Sequence, residues 1–543
     1  MVSTAGFAQK LKKEDKQLVA NLQTHIQYLA SDKLEGRRTG TAGEKLATDY
    51  ISQEFAKIGL APKGAESYLQ AFDVNEGKQI NAGTNYLSIN GHSLVLMKDF
   101  FPLVYTPNIS MEALPSIALQ EPGMPWFYDL KELMEENTAN PHFDMATAIV
   151  SSAKEVKKRG ANAVFLYNTS ALDDKLSFNG KDKTPALEIP IIYITREAAQ
   201  QYLKDPAATL DIKFRTDIGD KKRTGHNVAG YIDNGAAHTI ILGAHLDHLG
   251  YGEDGNSREV EKLLQIHNGA DDNASGVAAL IELARVLKNS RLTNNNYLFI
   301  AFSGEELGLY GSKYYTEHPS IDLSKVNYMI NMDMVGRLND SSKTITVGGY
   351  GTSPYWSEVY GITGKKALYR DGISFRYDSS GSGPSDHTSF YRKDIPVLFY
   401  FTGLHSDYHK PGDDFDKINY LGEMKVVRHI ESLIEAQNKM NTKLAFLKTR
   451  EMQTNTTARF SVTLGIMPDY TYSGEGVRAD GISDNRPAQK AGIKAGDVII
   501  SIGDYKVNSM ETYMQTLGKF KKGDHAVVTY KRGNETLAAT VEF

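Results

Sequence analysis

The chain has 543 residues, a formal net charge of -5 at pH 7 and 41% hydrophobic residues. This length indicates about three domains, and the lack of a basic excess argues against a nucleic-acid-binding protein. No apolar run reaches the roughly 18 residues that a transmembrane helix needs, and the absence of cysteine excludes disulfides, thiolate zinc sites and cysteine nucleophiles.

The N-terminal region is predicted to be helical, with stretches LVANLQTHIQYLASD and GEKLATDYISQEFAKIGL. The second stretch has apolar residues on one side and a glycine C-cap: Leu46, Tyr50, Ile51, Phe55, Ile58 and Gly59. The segment before them lacks an apolar signal core, although residues 5–9 could be the remnant of a cleaved signal peptide. We therefore expect a periplasmic or secreted protein.

Residues 84–215 are interpreted as an inserted, β-rich domain. Short β-like runs with turn residues begin near Thr84, as in NYLSINGHSLVLMKDFFPLVY. AIVSSAKEVKKRGANAVFLYN follows as a strand, helix and strand pattern, and then IPIIYIT as a strand. The block contains no cluster of acids and histidines, so we expect it to narrow a cleft and screen substrate by size.

Residues 1–83 and 216–448 are predicted to form one discontinuous α/β domain. Continuous apolar strands such as TIILGA and YLFIAF alternate with helices such as VAALIELARVL, a pattern typical of a mainly parallel sheet with helices on both faces. Ligands of such sheets bind beyond the carboxyl ends of the strands.

An acidic pair, Asp271 and Asp272, lies immediately before the helix that begins near residues 273–275. Acids at this position usually cap the helix by accepting hydrogen bonds from its first N–H groups. The alternative is a metal ligand, and the two roles are compatible.

Acids and histidines follow several strands of this domain: His245, Asp247, Glu305, Glu306, Asp333 and His409. Each alone has an ordinary explanation, but together with Asp272 they would place at least four carboxylates in one crevice. Such a cluster repels itself unless cations neutralise it, and two divalent metals would do so. Imidazole and carboxylate without thiolate favour zinc, and Asp272 is the natural bridge between two ions.

The motifs GAHLDH, GADDNASG, SGEELGLYGS, NMDMVG and DYHKPGDD occur in this order. In this, residues 21–440 resemble the di-zinc aminopeptidases, metallopeptidase family twenty-eight, which also includes glutamate carboxypeptidases and glutaminyl cyclases. The resemblance implies two Zn²⁺ ions and a cis peptide bond after Asp272. It assigns the ligands as follows: His245 and Asp333 to one zinc, Glu306 and His409 to the other, and Asp272 to both.

The resemblance also implies catalytic roles around a water that bridges the metals. Glu305 would be the general base, and Tyr408 would either donate a hydrogen bond to the oxyanion or simply pack as an aromatic residue. Asp247 is expected to accept the second N–H of His245, and His248 is interpreted as structural or as an outer contact. Residues 385–387, Ser-Asp-His, are placed in a loop at the cleft rim without a catalytic role.

Residues 449–458 are predicted to be a linker, and residues 459–543 resemble a PDZ domain of the bacterial, protease-linked type through DNRPAQKAGIKAGDVIISIGDYKVNSMETYMQTL. The loop that would receive a peptide's terminal carboxylate is the run Leu464, Gly465, Ile466 and Met467. The alternative is a groove filled by the chain itself or by the catalytic domain. The insert likewise resembles a protease-associated domain, through its position in the chain and its short β-like runs.

These features predict a zinc aminopeptidase that acts on peptides. A related carboxypeptidase would use the same metal ligands and would present Arg or Lys to the substrate, for which Arg370, Arg376 and Arg392 lie in the right region. A glutaminyl cyclase and a catalytically inactive scaffold are further alternatives, although a scaffold would be expected to lack a metal ligand or the base.

Overall fold

The structure is a computed structural model and describes residues 11–138, 143–182, 184–259, 264–360, 372–449, 462–469, 472, 474–483, 486–508 and 510–543. The expected signal-peptide remnant, Arg370 and nearly all of the predicted linker lie outside these residues. No helix in these ranges is long and apolar enough to cross a membrane.

The α-helices span Lys13–Leu29, Ala42–Ile58, Lys131–Glu136, Met145–Lys158, Arg196–Tyr202, Gly276–Lys288, Tyr310–Glu317, Pro354–Tyr360, His387–Tyr391, Tyr420–Met440, Pro487–Lys490 and Met510–Leu517. Shorter helical turns span Asp32–Arg37, Ala270–Ser275, Leu323–Lys325, Tyr350–Thr352 and Phe415–Lys417. The helix predicted over GEKLATDYISQEFAKIGL is confirmed as Ala42–Ile58, and Gly59 is its C-cap with φ 84°. Ala47, Ile51 and Phe55 form its buried side.

The strands of the predicted α/β domain span Ala61–Pro62, Leu69–Ile80, Ile218–Ile232, Thr239–His245, Asn296–Phe302, Val326–Met332, Thr344–Gly348, Ser374–Tyr377 and Val397–Phe401. Over the described residues they form one nine-stranded sheet. Its centre consists of the parallel strands 296–302, 239–245, 326–332 and 397–401, and antiparallel neighbours flank this centre on both sides.

Helices cover both faces of this sheet, as predicted. Helices 13–29, 42–58, 276–288 and 420–440 enclose the larger core on one face. Tyr315 of helix 310–317 and Phe390 of helix 387–391 pack on the other face. The central strands are buried along their whole length, which explains their continuous apolar sequence.

The insert contains two sheets of its own. Strands Tyr86–Ile89, His92–Ser93, Ile109–Ala113 and Ile212–Thr216 are antiparallel, whereas Phe100–Pro102, Pro125–Asp129, Ala163–Tyr167 and Ile191–Ile194 include parallel pairs. The prediction of a strand at the start of AIVSSAKEVKK is wrong, because those residues belong to helix 145–158. The buried side of this helix packs in one core with the parallel strands 125–129 and 163–167. Two parallel strands need a crossover connection, and helix 145–158 lies in that connection.

The C-terminal unit has strands Ile466–Pro468, Val477–Ile482, Val498–Ile502, Tyr505–Lys506, His525–Arg532 and Glu535–Glu542. Strand 466–468 lies at the edge of the sheet, where it pairs with strand 477–482. A separate core, which includes Leu464, Ile499 and Tyr513, holds this unit together.

Candidate metal centre

The carboxyl ends of the parallel strands carry the residues expected to bind metal. His245 ends strand 239–245, Asp333 directly follows strand 326–332, and Glu305 and Glu306 follow strand 296–302. His409 lies in the loop after strand 397–401. Because these strand ends meet at one edge of the sheet, residues far apart in sequence converge beside the turn that carries Asp272.

Asp272 stands between two groups of ligand atoms. Its Oδ1 lies 3.2 Å from His245 Nε2, and that nitrogen lies 3.4 Å from Asp333 Oδ1. Its Oδ2 lies 3.3 Å from His409 Nε2, which is 3.2 Å from Glu306 Oε2. Each carboxylate oxygen of Asp272 therefore faces one predicted group, as a bridging ligand would.

His248 also reaches the second group. Its Nδ1 is 2.8 Å from Glu306 Oε1 and 3.9 Å from Asp272 Oδ2, and it forms with these two acids a set able to hold an ion. From the sequence, His248 is expected to be structural or an outer contact. The structure places it beside a predicted ligand, in the second group with His409.

Both predicted histidine ligands have their Nδ1 atoms directed at backbone carbonyls. His245 Nδ1 lies 3.1 Å from the Asp247 carbonyl oxygen, and His409 Nδ1 lies 3.0 Å from that of Asn256. Donation to these carbonyls leaves each Nε2 free to face the acids. The expected acceptor for His245 is corrected, because the Asp247 carboxylate is 3.8 Å away and the backbone carbonyl is nearer.

The electrostatics of the cluster suit a cation site. Burial alone would raise the pKa of Asp272, but the charge of His248 and hydrogen bonds from His245 and His409 hold it well below its ordinary value. Despite burial and the neighbouring Asp272, the pKa of Glu306 is lowered to about 2 by His409 and His248. The Nε2 atoms of His245 and His409 face these acids. Ionised carboxylates and imidazole nitrogens form the donor set that zinc prefers. The residues present therefore fit two zinc ions.

Asp247 holds the backbone of Glu305. Its carboxylate accepts hydrogen bonds from the Glu305 N–H at 3.1 Å and from the Thr39 hydroxyl at 3.0 Å. Burial raises the pKa of Asp247 to about 7. Burial also raises the pKa of Glu305 well above its ordinary range, against the charge of His245 and with the help of Asp333 and Glu306. A carboxyl group with a raised pKa is suited to take up and release a proton.

The backbone at the bridging acid is held by groups that the sequence analysis missed. Asp413 Oδ2 accepts the N–H groups of Asp271 and Asp272, each at 3.0 Å. The buried Arg37 guanidinium donates to four carbonyls, including those of Asn268 and Gly269 just upstream. Asp413 falls within a motif quoted for the resemblance, whereas Arg37 has no distinguishing signal in the sequence.

The helix cap is provided by a neighbour of Asp272. Asn273 Oδ1 accepts the Gly276 N–H at 3.0 Å, whereas the Asp272 carboxylate faces the histidines. The proposed combination of capping and ligation is therefore divided between adjacent residues. The peptide bond between Asp272 and Asn273 is cis, which confirms the expectation from the resemblance.

Tyr408 lies at the edge of the cluster. Its ring centroid is 3.9 Å from that of His409, and the Arg258 guanidinium lies 5.2 Å from the ring centroid. Burial and the charges of Asp272 and Glu306 raise the pKa of Tyr408 above its ordinary value, so the hydroxyl keeps its proton. This arrangement is compatible with donation to an oxyanion.

The Ser-Asp-His segment is not at an exposed rim, which corrects the sequence-based placement. Ser385, Asp386 and His387 are all buried at the start of helix 387–391. Burial raises the pKa of Asp386 to about 7 and lowers that of His387 to about 3. The aromatic stack of His387 on Phe399, with centroids 4.5 Å apart, accounts for its burial in an apolar setting.

The remaining residues singled out from the sequence lie on other segments of the chain. Arg376 is exposed on strand 374–377, and Arg392 follows helix 387–391. In the C-terminal unit, Leu464 is buried and Gly465 has φ 83°. Ile466 begins the edge strand, and Met467 continues it.

Comparisons with known proteins agree with two parts of this division. Residues 227–434 match the model of peptidase family M28, and residues 454–543 match that of the PDZ domain. Aminopeptidase YwaD of Bacillus subtilis is 26% identical over 417 residues, which cover 72% of this chain and 78% of that protein. The probable lipoprotein aminopeptidase LpqL of Mycobacterium tuberculosis is 27% identical over 394 residues, covering 70% and 72% respectively.

A search of solved structures finds BSAP, described as a zinc aminopeptidase from Bacillus subtilis. It aligns with a TM-score of 0.41 and 21% sequence identity, covering 79% of this chain and 98% of that one.

Proposed function

Because the chain carries a peptidase family M28 domain, we propose that it is a zinc aminopeptidase that hydrolyses the first peptide bond of peptides. The observation that carries this proposal is the position of Asp272, with one carboxylate oxygen toward His245 and the other toward His409. The relatives named as aminopeptidases support it.

Two zinc ions held by these groups would lower the pKa of a water and polarise the scissile carbonyl. Glu305 accepts the proton of the attacking water and delivers it to the leaving amine. Asp247 fixes the Glu305 backbone through the 3.1 Å hydrogen bond. Tyr408, protonated at the edge of the cluster, donates a hydrogen bond to the developing oxyanion.

The accessory units act on the same peptides in this proposal. A cavity of about 980 Å³ is lined by insert residues such as Thr106 and Gly180 and by Leu307 and Tyr310, which follow Glu306. The insert therefore restricts access by size. The PDZ loop at residues 464–467 binds a C-terminal carboxylate, and the protein functions after export to a periplasm or the exterior.

The decisive experiment compares one short peptide in free and N-acetylated forms, with zinc-loaded and chelator-treated protein. We expect cleavage of the free form alone, at its first bond, and loss of activity with the chelator. Cleavage of the acetylated peptide from its far end would instead establish a carboxypeptidase.

The role of Glu305 is tested by Glu305→Gln with Glu317→Gln, an exposed acid on helix 310–317, as the control. We expect Glu305→Gln to lower kcat by about 100-fold or more while both metals remain bound, because general-base catalysis contributes about 10²–10⁴-fold. Wild-type turnover in this variant would remove Glu305 as the base.

A further inference from the structure

The edge strand of the PDZ unit ends against the peptidase domain. Asp469, which follows strand 466–468, has a buried side chain that accepts a hydrogen bond from Lys313 Nζ at 2.6 Å. Arg478 also pairs with this carboxylate. Lys313 lies on helix 310–317, only a few residues after Glu305 and Glu306. The strand therefore points from the PDZ loop toward the segment that carries the predicted base.

The same strand has an edge for peptide addition. Within the described part of the chain, its ladder partner is strand 477–482 on one side. The loop at its start includes Gly465 in the left-handed region, with Arg486 packed so closely that a Cβ added to Gly465 would lie 2.1 Å from the Arg486 Cβ. The Gly465 N–H donates to Thr463 Oγ1 at 3.1 Å, so the cationic side chain that starts beside the loop, Arg486, is the feature that favours a carboxylate there.

This geometry fixes the direction of a bound peptide. If its terminal carboxylate occupies the loop at residues 464–467, the peptide pairs along strand 466–468 and its upstream residues pass Asp469. Beyond Asp469, Tyr472 of the PDZ unit lines the 980 Å³ cavity together with Tyr310 and Leu307 of the peptidase domain. A peptide that leaves the PDZ strand therefore enters a space bordered by residues next to Glu306.

A second cavity adjoins the first along the insert. It measures about 960 Å³ and is lined by Thr512 and Gln515 of helix 510–517 and by Lys154 and Lys158 of the insert. The two cavities share five lining residues, Lys181, Asp182, Thr184, Pro185 and Ala186. The two cavities are therefore neighbours along the insert, one beside the PDZ helix and the other beside the segment after the predicted base.

We propose that the PDZ groove holds the C-terminal carboxylate of the peptide that the metal centre is digesting. This inference rests on the aminopeptidase function and adds a substrate class to it: extended peptides with a free C-terminus that are long enough to reach both sites. The bound C-terminus retains the peptide while its N-terminus is shortened. This retention ends when the peptide is too short to reach from the PDZ groove to the metal centre.

The minimum length follows from the dimensions of the path. The loop and edge strand take up about four peptide residues at about 3.3 Å each. A cavity of this volume is about 10 Å across and takes about three more extended residues. With the residue being removed, the threshold is about eight residues.

The test uses peptides of about three and about fifteen residues with the same N-terminal sequence, each as a free acid and as a C-terminal amide. We expect kcat/KM for the long acid to exceed that of the long amide by about tenfold, mainly through KM, because hydrogen bonds to a charged carboxylate are lost in the amide. The tripeptide is cleaved without this preference for the acid. Mass spectra over time should show rapid shortening of the long acid down to about eight residues and slower cleavage thereafter.

Two variants and one control separate the binding of the peptide's C-terminus from the contact between the PDZ unit and the peptidase domain. Arg486→Gln should abolish the preference for the long acid, whereas Lys490→Gln, an exposed lysine on the adjacent helix 487–490, should preserve it. Lys313→Ala should weaken the preference by loosening the junction, while an N-acetylated long peptide still binds with unchanged affinity. Tripeptide cleavage should be the same in all three variants, which shows that each is folded.

Equal kcat/KM for the long acid and long amide would overturn the inference. If the acetylated acid peptide nevertheless bound the PDZ unit, the groove would be a receptor for another protein's C-terminus. A preference of the same size in the tripeptide would overturn it too, because the carboxylate would then be read at the metal centre. Absence of tripeptide cleavage, by contrast, would refute the aminopeptidase function itself.

Discussion

Substitution of Asp247 tests whether the general base is held through its backbone. In Asp247→Ala the Glu305 N–H loses its 3.1 Å acceptor and the Thr39 hydroxyl loses its 3.0 Å acceptor. Each buried donor left without a partner costs about 1–3 kcal/mol, so we expect a loss of stability of about 2–6 kcal/mol. We also expect kcat to fall by about 10- to 100-fold, which corresponds to about 1.4–2.8 kcal/mol in the barrier.

The same substitution should leave metal binding intact. His245 Nδ1 is paired with the backbone carbonyl of Asp247, which any side-chain replacement retains. Asp247→Asn should recover part of the activity, because its amide oxygen can still accept the Glu305 N–H. Thr39→Val is the matched control, since it removes the second donor and keeps the bond to Glu305.

Steady-state kinetics, metal analysis and urea unfolding of these variants decide the matter. Wild-type kcat with both metals bound in Asp247→Ala would show that Glu305 needs no such anchor. Loss of metal in that variant would show that the carboxylate, and not the carbonyl, holds His245.

Three further predictions concern metal binding. Chelation should abolish activity and lower Tm, and added zinc should restore both, because a ligand that binds only the folded state stabilises it. An unchanged Tm would show that metal binding is not linked to folding. Without metal, Glu306 and Asp272 raise the pKa of His409 to about 11 against the effect of burial. Its proton therefore stabilises the fold fully below pH ~6.5, and this stabilisation is lost as the pH rises from there through about 11. Zinc must displace this proton, so its apparent affinity in a chelator competition should rise with pH by up to about tenfold per unit, and a flat profile would refute this coupling. Arg37→Met should lower the free energy of unfolding in urea by about 3–5 kcal/mol and weaken zinc binding, because it leaves buried carbonyls upstream of Asp272 unpaired. Wild-type values for both would show that Arg37 does not stabilise this segment.

The sheet and its ligands could be predicted from sequence because one physical rule connects them. Buried parallel strands require continuous apolar runs, and their carboxyl ends meet at one edge. Residues directly after such runs, such as His245 and Asp333, must therefore be close in space even though they are 88 positions apart. Periodicity was sufficient to bring these candidate ligands to one edge, whereas their division between two ions came from the resemblance to the di-zinc aminopeptidases.

The supporting groups could not be predicted because their roles depend on contacts across the whole chain. Arg37 bonds to a carbonyl 209 positions away, and a fully buried arginine contradicts the usual exposure of that residue. Asp386 and His387 follow a Gly/Ser-rich run that reads as a surface loop, but the packing of His387 on Phe399 brings the segment inside. Local composition carries no information on such long-range packing.

The bridging site shows why a helix start alone left two interpretations open. Three consecutive residues there perform three tasks: Asp271 accepts the Gly336 N–H at 2.7 Å, Asp272 faces the histidines, and Asn273 caps the helix. Each task uses a short side chain with an oxygen acceptor, so Asp and Asn fit every position and residue type cannot assign the roles. The assignment comes from the partners, above all from Asp413, which takes both backbone N–H groups. The N–H groups that begin the helix also find other acceptors, since Ala274 donates to the Gly269 carbonyl and Gly276 to Asn273 Oδ1. The Asp272 carboxylate therefore has no capping task to perform, and both of its oxygens are available to the ions.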